Sequence, residues 1–527
     1  MNAPDNIADT LPTLYRLAFA GSIALWRIAP IGECAYKNSS TRITHMSILT
    51  FKNYIAGEWV AASDGNTIEN INPATGEVIG YFASATAEDT RRAIAAAKEA
   101  LPSWAALPGP SRGAILDKAS QIIAARTEEL AETLTREEGK TLAEARAEVI
   151  RARDIFKYYA GEGYRAGGDV IPASAPETLL FTKREPLGVI AVITPWNFPI
   201  AIPAWKIAPA LAYGNTVVFK PASLVPYTAL KLVEILLEAG LPPGVINLVV
   251  GSGRAVGNTL AESKEIAGLS FTGSYDVGLK IYEKTARNLV RTQLEMGGKN
   301  PTVVLNDADL ALAVDIAVRG GFGLTGQACT ATSRVIVEEG IADAFAHALA
   351  EAARNLKVGD GLEAGVQMGP AVSTDQLQTD LNYIEIGRRE GAKLLAGGAP
   401  IASPSGFFIQ PTVFDDVQPE MRIAQEEIFG PVIGIIRARD FDDAINKANA
   451  IGFGLSAAIV TNDLRKAMRF ADCIEAGVVK VNEPTTGVAL QAPFGGFKGS
   501  SANTFKEQGR AAMEFYTRTK TVYVKYG

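Results

Sequence analysis

The sequence predicts an α/β fold with two domains, parallel-type sheets and a separate β arm, and three observations point to it. Short uncharged runs rich in Val and Ile alternate with helical patterns along most of the chain. This alternation is typical of parallel sheets that are covered on both faces. It occurs as two successive series, before and after Glu295. Finally, 527 residues are too many for one hydrophobic core and suit two or three domains.

The first series opens with helices and continues with strands. Apolar residues recur at helical spacing over 87–100, 111–136 and 141–159. Strands are predicted at 188–194, 215–220, 245–250 and 268–273. A helix at 227–238 lies between them and ends before Gly240, a residue that favours helix termination.

The second series shows the same alternation of strand and helix patterns. Its strands are predicted at 301–306, 333–339, 432–438 and 477–482, with a helix at 342–356. Two further segments, 178–186 and 519–526, alternate between apolar and polar residues like edge strands. Because neither has an obvious partner strand nearby in sequence, we expect both to pair between subunits.

The first 45 residues differ from the rest of the chain. The apolar part of 17–30 is about half as long as the roughly 20 residues of a membrane-spanning helix. It lacks the positively charged start and the cleavage site of a secretory signal. Met46 opens a stretch that is typical of a domain start. We therefore expect 1–45 to be a dispensable extension, and a chain beginning at Met46 to fold without a membrane.

The composition excludes several classes of function. Lys and Arg total 51 against 57 Asp and Glu, a net charge of −6, which gives no reason to expect a nucleic-acid partner. The chain has only two His and three Cys. Two His cannot build a three-His zinc site, and no metal site is predicted. Three widely spaced Cys argue against a disulfide framework and suit a reducing, cytoplasmic compartment.

One cysteine has the setting of a nucleophile. Cys329 lies in the Gly- and Thr-rich turn GFGLTGQACTATSR, between a helical stretch and a strand. A thiol near backbone amides and away from acidic residues is a candidate thiolate. Cys473 falls at an apolar position of a helix and is expected to be buried. Cys34 lies in the extension.

A nucleophilic cysteine needs a base, and neither histidine suits that role. His347 lies within a predicted helix and His45 in the extension. A carboxylate must then carry the proton. Glu295, in LEMGGKNP, closes a strand pattern among apolar residues and Gly. Partial burial there would raise its pKa toward the useful range.

Five further motifs occur in a fixed order around these two residues. They are TPWNFP (194–199), KPAS (220–223), FTGSYDVG (271–278), EEIFGP (426–431) and APFGGFKGS (492–500). Together with Glu295 and Cys329 this set resembles the aldehyde dehydrogenase superfamily over essentially all of Met46 to Gly527. The resemblance implies NAD(P)⁺-dependent oxidation of an aldehyde to a carboxylic acid through a cysteine thiohemiacetal and thioester.

The resemblance also implies a role for each catalytic residue. Cys329 attacks the aldehyde carbon, and the side-chain amide of Asn197 and the backbone N–H of Cys329 hold the oxyanion. Glu295 activates the water that hydrolyses the thioester. Lys206 and Glu507 correspond to a proton-relay pair leading from this base.

The cofactor site implied by the resemblance differs from the usual dinucleotide fingerprint. GSGRAVG (251–257) is only a weak match to GxGxxG. The pyrophosphate is expected at the helix after FTGS, Lys220 at the adenosine ribose, and Glu427 and Phe429 at the nicotinamide end. The full predicted set is Ile193, Trp196, Lys220, Ser223, Gly253, Phe271, Gly273, Ser274, Glu427 and Phe429. Ser223 stands where many NAD-specific members have Glu, so we expect both NAD and NADP to be used.

The substrate stays open between two classes. Strings at 158–172, 201–222 and 490–501 most resemble the branch of α-ketoglutarate semialdehyde (2,5-dioxopentanoate) dehydrogenases. However, Trp205 stands where succinate-semialdehyde enzymes carry a carboxylate-binding Arg, and 322–324 lacks the second such Arg. Phe198, Trp205, Phe322 and Leu324 would form an apolar tunnel. An aliphatic or aromatic aldehyde therefore competes with a semialdehyde acid.

Two other functions and the assembly complete the predictions. A CoA-acylating enzyme is disfavoured because such members lack the water-activating Glu, and a non-catalytic structural member because Cys329 and Glu295 are both present. The resemblance implies a homodimer or homotetramer. It also divides the chain into a cofactor-binding domain (46–165 and 186–295), a catalytic domain (296–508) and an oligomerisation arm (166–185 and 509–527).

Overall fold

The computed structural model describes residues 49–402, 405–501 and 504–527. The predictions for residues 1–45, Met46, Cys34 and His45 lie outside these residues. The strands are β1 Thr50–Phe51, β2 Asn53–Ile55, β3 Glu58–Val60, β4 Thr67–Ile71, β5 Val78–Ala83, β6 Val170–Ile171, β7 Thr178–Pro186, β8 Val189–Ile193, β9 Thr216–Lys220, β10 Ile246–Leu248, β11 Gly268–Gly273, β12 Arg291–Met296, β13 Asn300–Val304, β14 Thr332–Glu338, β15 Lys393–Ala396, β16 Thr412–Asp415, β17 Val432–Ala438, β18 Phe453–Gly454, β19 Ser456–Val460, β20 Val478–Val481, β21 Phe497–Lys498 and β22 Thr517–Lys525.

The helices surround these strands. They are α1 Ala87–Ala106, α2 Gly109–Ala125, α3 Thr127–Glu138, α4 Leu142–Glu162, α5 Ala201–Ala212, α6 Pro226–Glu238, α7 Asn258–Glu262, α8 Tyr275–Ala286, α9 Leu310–Phe322, α10 Glu339–Asn355, α11 Thr374–Arg389, α12 Arg422–Gln425, α13 Phe441–Asn449, α14 Leu464–Cys473 and α15 Ala511–Tyr516. A π-helical turn spans Gly253–Gly257 and a 3₁₀ turn spans Gly323–Gly326.

The first of two large sheets holds the strands of the first predicted series. Its order is β12-β11-β8-β9-β10-β2-β3, with parallel pairing from β12 to β10 and antiparallel pairing for β2 and β3. Every residue of β8 and β9 is buried. Burial on both faces explains why these strands read as continuous Val and Ile runs.

The second sheet follows directly along the chain. Its order is β15-β16-β17-β14-β13-β19-β20, parallel except for the antiparallel edge strand β15. Only residues 297–299 separate the end of β12 in the first sheet from the start of β13 in the second. The predicted α/β architecture with two domains is therefore confirmed. The chain passes from the first sheet to the second directly after Glu295 and Met296.

The arm corrects one prediction. β7 and β22 pair with each other in antiparallel fashion, from Thr178 opposite Lys525 to Pro186 opposite Thr517, and β6 adds a third strand to β7. The expectation that these are isolated strands is wrong, because they pair with each other within the chain, and contacts of the arm between subunits stay a prediction. The two nine-residue strands match in length, so they satisfy each other's backbone groups along one edge.

Three local predictions also need correction. The single helix predicted over 111–136 is two helices, α2 and α3, because Arg126 adopts a non-helical φ of −111° and ψ of 20° between them. α1 continues through Pro102 to Ala106. Cys473 is exposed, not buried, because it is the last residue of α14, whose buried face consists of Ala467 and Phe470.

The helices do not indicate membrane insertion. Among the residues that the structure describes, no helix is both long and apolar enough to cross a bilayer. The buried apolar side chains form separate clusters on the two sheets.

Candidate active site

A cavity of about 580 Å³ brings residues of both sheets together. Among its lining residues are twelve that the sequence predicts as catalytic or cofactor-binding: Ile193, Trp196, Asn197, Lys220, Gly253, Phe271, Gly273, Ser274, Glu295, Cys329, Glu427 and Phe429.

Strand register explains why residues so far apart in sequence meet. In the first sheet Ile193 lies opposite Lys220 and Phe271, and Glu295 lies opposite Thr272. These are the carboxyl ends of parallel strands, which meet at one edge of the sheet, where α/β proteins place their ligands. The second sheet contributes Cys329 from the turn before β14.

Cys329 and Glu295 form the chemical centre of this cavity. Cys329 is a free, partly exposed cysteine, whereas only 1% of Glu295 is exposed. Burial, and next the charge of Glu295, raise the pKa of the Cys329 thiol well above its usual value. Burial, and next the charge of Glu507, raise the pKa of Glu295. A buried carboxyl with a raised pKa is suited to accept a proton from water in the same cavity.

The Cys329 turn is held by a buried amide that sequence reasoning missed. The side-chain Nδ2 of Asn300 donates to the backbone oxygens of Cys329 at 2.8 Å and Ala331 at 2.9 Å. Its Oδ1 accepts a hydrogen bond from the backbone N–H of Ser456. Asn300 opens β13 in the string GGKNP, where an Asn at a buried strand start was the available signal.

Backbone strain accompanies this turn. Leu324 and Thr325 adopt φ values of 55° and 57°, a left-handed conformation that is costly for residues with a Cβ. Such conformations persist where surrounding contacts fix them, and they concentrate at functional sites.

Asn197 is fixed by a buried ionic network. Its Nδ2 donates to the backbone oxygen of Gln327 at 3.0 Å, and its own backbone oxygen accepts from Lys140 Nζ at 2.7 Å. Lys140 is also 2.6 Å from Glu148, which accepts hydrogen bonds from the backbone N–H of Ile200. The network therefore fixes the backbone at Asn197 and at Ile200, three residues later.

Sequence reasoning missed Lys140, in the turn between α3 and α4, and Glu148, on α4, because charged residues usually face solvent. Both side chains are only 1% exposed. Burial raises the pKa of the neighbouring Glu138 to about 8, with Lys140 opposing that shift. The spacing of these charges along the chain gives no sign of this burial.

Lys206 and Glu507 form the pair that the sequence predicts. They make a buried ion pair in which only 0% and 3% of the side chains are exposed. Lys206 Nζ also donates to the Ser270 hydroxyl at 2.9 Å, which donates to Gln293 Oε1 at 2.8 Å. This chain of polar groups ends at Gln293, which stands two residues before Glu295 on β12. Glu507 and Lys206 both act on the pKa of Glu295.

The other half of the cavity offers groups suited to a dinucleotide. Lys220 is 7% exposed, and burial lowers its pKa to about 8. Burial raises the pKa of Glu427 to about 7, and its Oε1 accepts from the Gly298 N–H at 2.9 Å. The rings of Trp196 and Phe429 meet edge to face at 5.3 Å.

Two observations, one at Ser274 and one at Ser223, refine the predicted cofactor site. Ser274 precedes α8 as its N-cap but makes no side-chain cap hydrogen bond, which leaves first-turn N–H groups for a phosphate. Ser223 donates its hydroxyl hydrogen to Gly251 O at 3.0 Å and does not line the cavity, whereas Ala222 does.

The four predicted substrate-pocket residues divide into two groups. Phe198 and Trp205 pack in the same apolar cluster as Cys329. Phe322 packs in a cluster of the second sheet. With Leu324 it lines a different cavity of about 380 Å³, which Cys329 does not line. The structure therefore does not bring Phe322 and Leu324 into the cluster that holds Phe198, Trp205 and Cys329.

In the part of the chain that the structure describes, no group of three or more His, Cys, Asp or Glu side chains is arranged to hold a metal ion. His347 lies exposed on α10, so it does not reach Cys329. The arrangement offers a thiol, a buried carboxyl and amide donors, which together suit nucleophilic acyl chemistry.

Comparisons with known proteins agree with this geometry. The profile described as the aldehyde dehydrogenase family matches residues 59–522. The chain is 49% identical over 480 residues to the α-ketoglutaric semialdehyde dehydrogenase of Bacillus subtilis strain 168, covering 90% of this chain and 98% of that protein. It is 50% identical over 479 residues to the α-ketoglutarate semialdehyde dehydrogenase of Haloferax volcanii, covering 90% and 99%.

A third curated relative and a solved structure extend the similarity. The 2,5-dioxopentanoate dehydrogenase of Saccharolobus solfataricus is 47% identical over 472 residues, covering 89% of this chain and 98% of that protein. The crystal structure of betaine aldehyde dehydrogenase from Staphylococcus aureus in complex with NAD⁺ superposes with a TM-score of 0.88 at 37% identity, covering 90% of this chain and 94% of that one.

Proposed function

Since the chain belongs to the aldehyde dehydrogenase family, we propose that it oxidises 2,5-dioxopentanoate, a semialdehyde with a distal 2-oxo acid, to the corresponding dicarboxylate. Aldehyde oxidation itself follows from family membership. Three relatives at 47–50% identity, each matched over nearly its full length, carry names that specify this substrate. The observation that supports the chemistry is that a buried carboxyl, Glu295, and the Cys329 thiol line one cavity and each acts on the pKa of the other.

The first step is nucleophilic addition. The Cys329 thiol releases its proton to water in the cavity and its sulfur attacks the aldehyde carbon, which gives a thiohemiacetal. The second N–H of the Asn197 amide and the backbone N–H of Cys329 stabilise the oxygen as it becomes negative. One such donor is typically worth roughly 2.7–4 kcal/mol. Lys140 and Asn300 contribute by holding Asn197 and the Cys329 turn in place.

Loss of a hydride from its oxyanion converts the thiohemiacetal to a thioester on Cys329. A nicotinamide dinucleotide, when bound, would supply the oxidising power for this step. Glu295 then takes a proton from water, the hydroxide adds to the thioester carbon, and the Cys329 sulfur leaves with the acid as product. Lys206 and Glu507 carry that proton away from Glu295.

The cofactor is held by residues at the carboxyl edge of the first sheet. The first turn of α8, with Ser274, suits the pyrophosphate. Lys220 serves the adenosine ribose, and Glu427 and Phe429 serve the nicotinamide end. Ser223 adds no negative charge near Lys220, so NADP is accepted as well as NAD.

The remaining proposals concern the assembly. Residues 46–165 and 186–295 form the cofactor-binding domain and 296–508 the catalytic domain. Residues 166–185 and 509–527 form an arm through which a homodimer or homotetramer assembles in the cytoplasm. Exposed apolar side chains on this arm, such as Val170 and Tyr523, support that role.

Initial rates with 2,5-dioxopentanoate, pentanal and benzaldehyde, each with NAD and NADP, test the proposal. The highest kcat/KM is expected for 2,5-dioxopentanoate, with a free acid as the product and no dependence on CoA. A clear preference for pentanal or benzaldehyde would overturn the proposed substrate, and a CoA-dependent product would overturn the role of Glu295.

A further inference from the structure

Buried hydrogen-bond donors without acceptors lie beside the apolar cluster that contains Cys329. Trp205 Nε1 and Gln508 Nε2 are both buried and have no partner among the described residues. Only 7% of Trp205 and 1% of Gln508 is exposed. Because an unpaired buried donor costs free energy, two of them together call for an explanation.

Arg151 joins these two side chains. Its guanidinium carbon lies 5.8 Å from the centre of the Trp205 ring, and its Nη2 donates to Gln508 Oε1 at 2.9 Å. Its Nη1 donates to the backbone oxygen of Val488. A guanidinium has more N–H groups than these two bonds use, so donors remain for a further acceptor.

The contact with Arg151 also fixes which way the Gln508 amide points. A guanidinium can only donate, so Gln508 must turn its oxygen toward Arg151 and its Nε2 away. Gln508 adopts a φ of 62°, a strained conformation for a residue with a side chain. The amide nitrogen is thus presented by a backbone held in place.

The charge of Arg151 is not neutralised by the protein. Burial, the largest influence, lowers its pKa, while the carboxylates of Asp154 and Glu148 oppose that shift. Each of these carboxylates already pairs with another cation, Asp154 with Arg153 at 2.8 Å and Glu148 with Lys140 at 2.6 Å. Within 49–402, 405–501 and 504–527, no carboxylate forms an ion pair with Arg151.

The position of this cluster relative to the catalytic residues indicates its use. Trp205 directly precedes Lys206, and Gln508 directly follows Glu507, so the buried Lys206–Glu507 pair holds both donors near the catalytic centre. Cys329 and Val488 pack against the apolar cluster that contains Trp205. Arg151, Trp205 and Gln508 are not among the residues that line the cofactor-sized cavity, so the cluster is separate from the lining of that cavity.

We infer that Arg151, Gln508 and Trp205 bind the 2-oxo carboxylate end of the substrate while its aldehyde carbon meets Cys329. The inference rests on the proposed function and names the residues that select that substrate. A 2-oxo carboxylate has a negative charge and three oxygen acceptors, which match one guanidinium, one amide N–H and one indole N–H. This cluster replaces the carboxylate-binding Arg that the sequence lacks at position 205.

The experiment compares two aldehydes on matched variants. Wild type, Arg151→Met, Arg151→Lys and Gln508→Met are assayed with 2,5-dioxopentanoate and with pentanal, which lacks the keto and carboxylate groups. Arg146→Met is the control, since Arg146 lies on the same helix but pairs with Glu128 at the surface. Thermal unfolding shows whether each variant folds, and inhibition by 2-oxoglutarate, the product, reports binding of the acid end.

We expect Arg151→Met to lower kcat/KM for 2,5-dioxopentanoate by about 10- to 100-fold, the loss typical of a charge-assisted hydrogen bond. The rate with pentanal should stay within about threefold. Arg151→Lys should lose less activity than Arg151→Met, because it keeps the positive charge but not the paired N–H groups of the guanidinium. Gln508→Met, which keeps the chain length without the N–H, should cost about 3- to 10-fold with the keto acid only. Arg151→Met and Gln508→Met should also weaken 2-oxoglutarate inhibition, and Arg146→Met should change nothing.

The results distinguish a failure of the proposed substrate from a failure of the inference about the residues that bind its acid end. If the wild type shows no preference for the keto acid over pentanal, the proposed substrate is wrong and this inference falls with it. If the wild type shows the preference and both Arg151→Met and Gln508→Met retain it, only the inference is overturned. An equal loss with both aldehydes in a folded variant would give these residues a structural role instead, and would also overturn the inference.

Discussion

The ammonium group of Lys206 forms a buried ion pair with the carboxylate of Glu507, and both groups act on Glu295. After burial itself, the charge of Glu507 is the largest influence that raises the pKa of Glu295, and the charge of Lys206 lowers it. The pair thus places one charge of each sign near the base, so that removing either partner should move the pKa of the base in a known direction.

Glu507→Gln and Lys206→Met should therefore shift the pH profile in opposite directions. Glu295 works as a base only above its pKa, so the acid limb of the kcat/KM profile follows that pKa. Glu507→Gln removes a negative charge and leaves Lys206⁺, which moves the acid limb to lower pH. Lys206→Met leaves the Glu507 charge unopposed and moves the limb to higher pH. Stopped-flow or steady-state rates between about pH 5 and 9 measure both shifts. Unchanged acid limbs, or two shifts in the same direction, would show that the Lys206–Glu507 pair does not set the pKa of Glu295.

Lys140 should contribute strongly to stability. It is the cation of the buried group with Glu138 and Glu148, at 3.8 and 2.6 Å. Lys140→Met leaves two buried carboxylates without a cation, which should lower the free energy of unfolding by about 3–5 kcal/mol. Urea unfolding measures the change. Lys157→Met, at an exposed site of α4, should cost less than about 0.5 kcal/mol. A similar small effect for Lys140→Met would contradict the ionic network.

Glu295→Gln should stabilise the protein at high pH. The folded protein raises the pKa of Glu295 through burial, so the folded state favours its protonated form. The stability that this group contributes is fully present below its unfolded pKa and is lost as pH rises through the folded pKa. Gln mimics the neutral form at every pH. Its melting temperature should exceed that of the wild type at pH 8, with the difference shrinking toward pH 5. The exposed Glu283→Gln should show no such pH-dependent gain.

Ser223→Glu should separate the two cofactors. A carboxylate at this position would repel the 2′-phosphate of NADP and could accept ribose hydroxyls of NAD. We expect kcat/KM with NADP to fall at least tenfold while that with NAD changes little. Ser223→Thr keeps the hydroxyl that bonds Gly251 O and should leave the ratio unchanged. Equal losses with both cofactors would place position 223 away from the ribose.

The strands of both sheets were predictable because burial on both faces leaves a simple pattern. β8 spans Val189–Ile193 against a predicted 188–194, and β11 spans Gly268–Gly273 as predicted. The pairing of β7 with β22 was not predictable, because alternation identifies an edge strand without naming its partner.

The chemical centre was predictable from motifs, but the groups that support it were not. Cys329, Glu295 and Asn197 lie in sequence motifs whose order along the chain indicates the family. The structure places all three residues in one cavity. Arg151 and Gln508 stand 357 positions apart, and only the folded chain brings them together. The burial of Lys140 and Glu148 likewise depends on how α4 and the turn before it pack against the segment that leads into α5, which helical periodicity does not specify.

The most direct test follows the covalent intermediate in Glu295→Gln. Without the base, thioester hydrolysis should become slow while acylation of Cys329 continues. Mixing this variant with 2,5-dioxopentanoate and NAD⁺ should give a burst of about one reduced cofactor per active site, followed by slow turnover. Mass spectrometry should find the acyl group on the peptide that contains Cys329, and Cys329→Ala should abolish both signals. Full steady-state turnover in Glu295→Gln with no burst and no adduct on Cys329 would contradict the account.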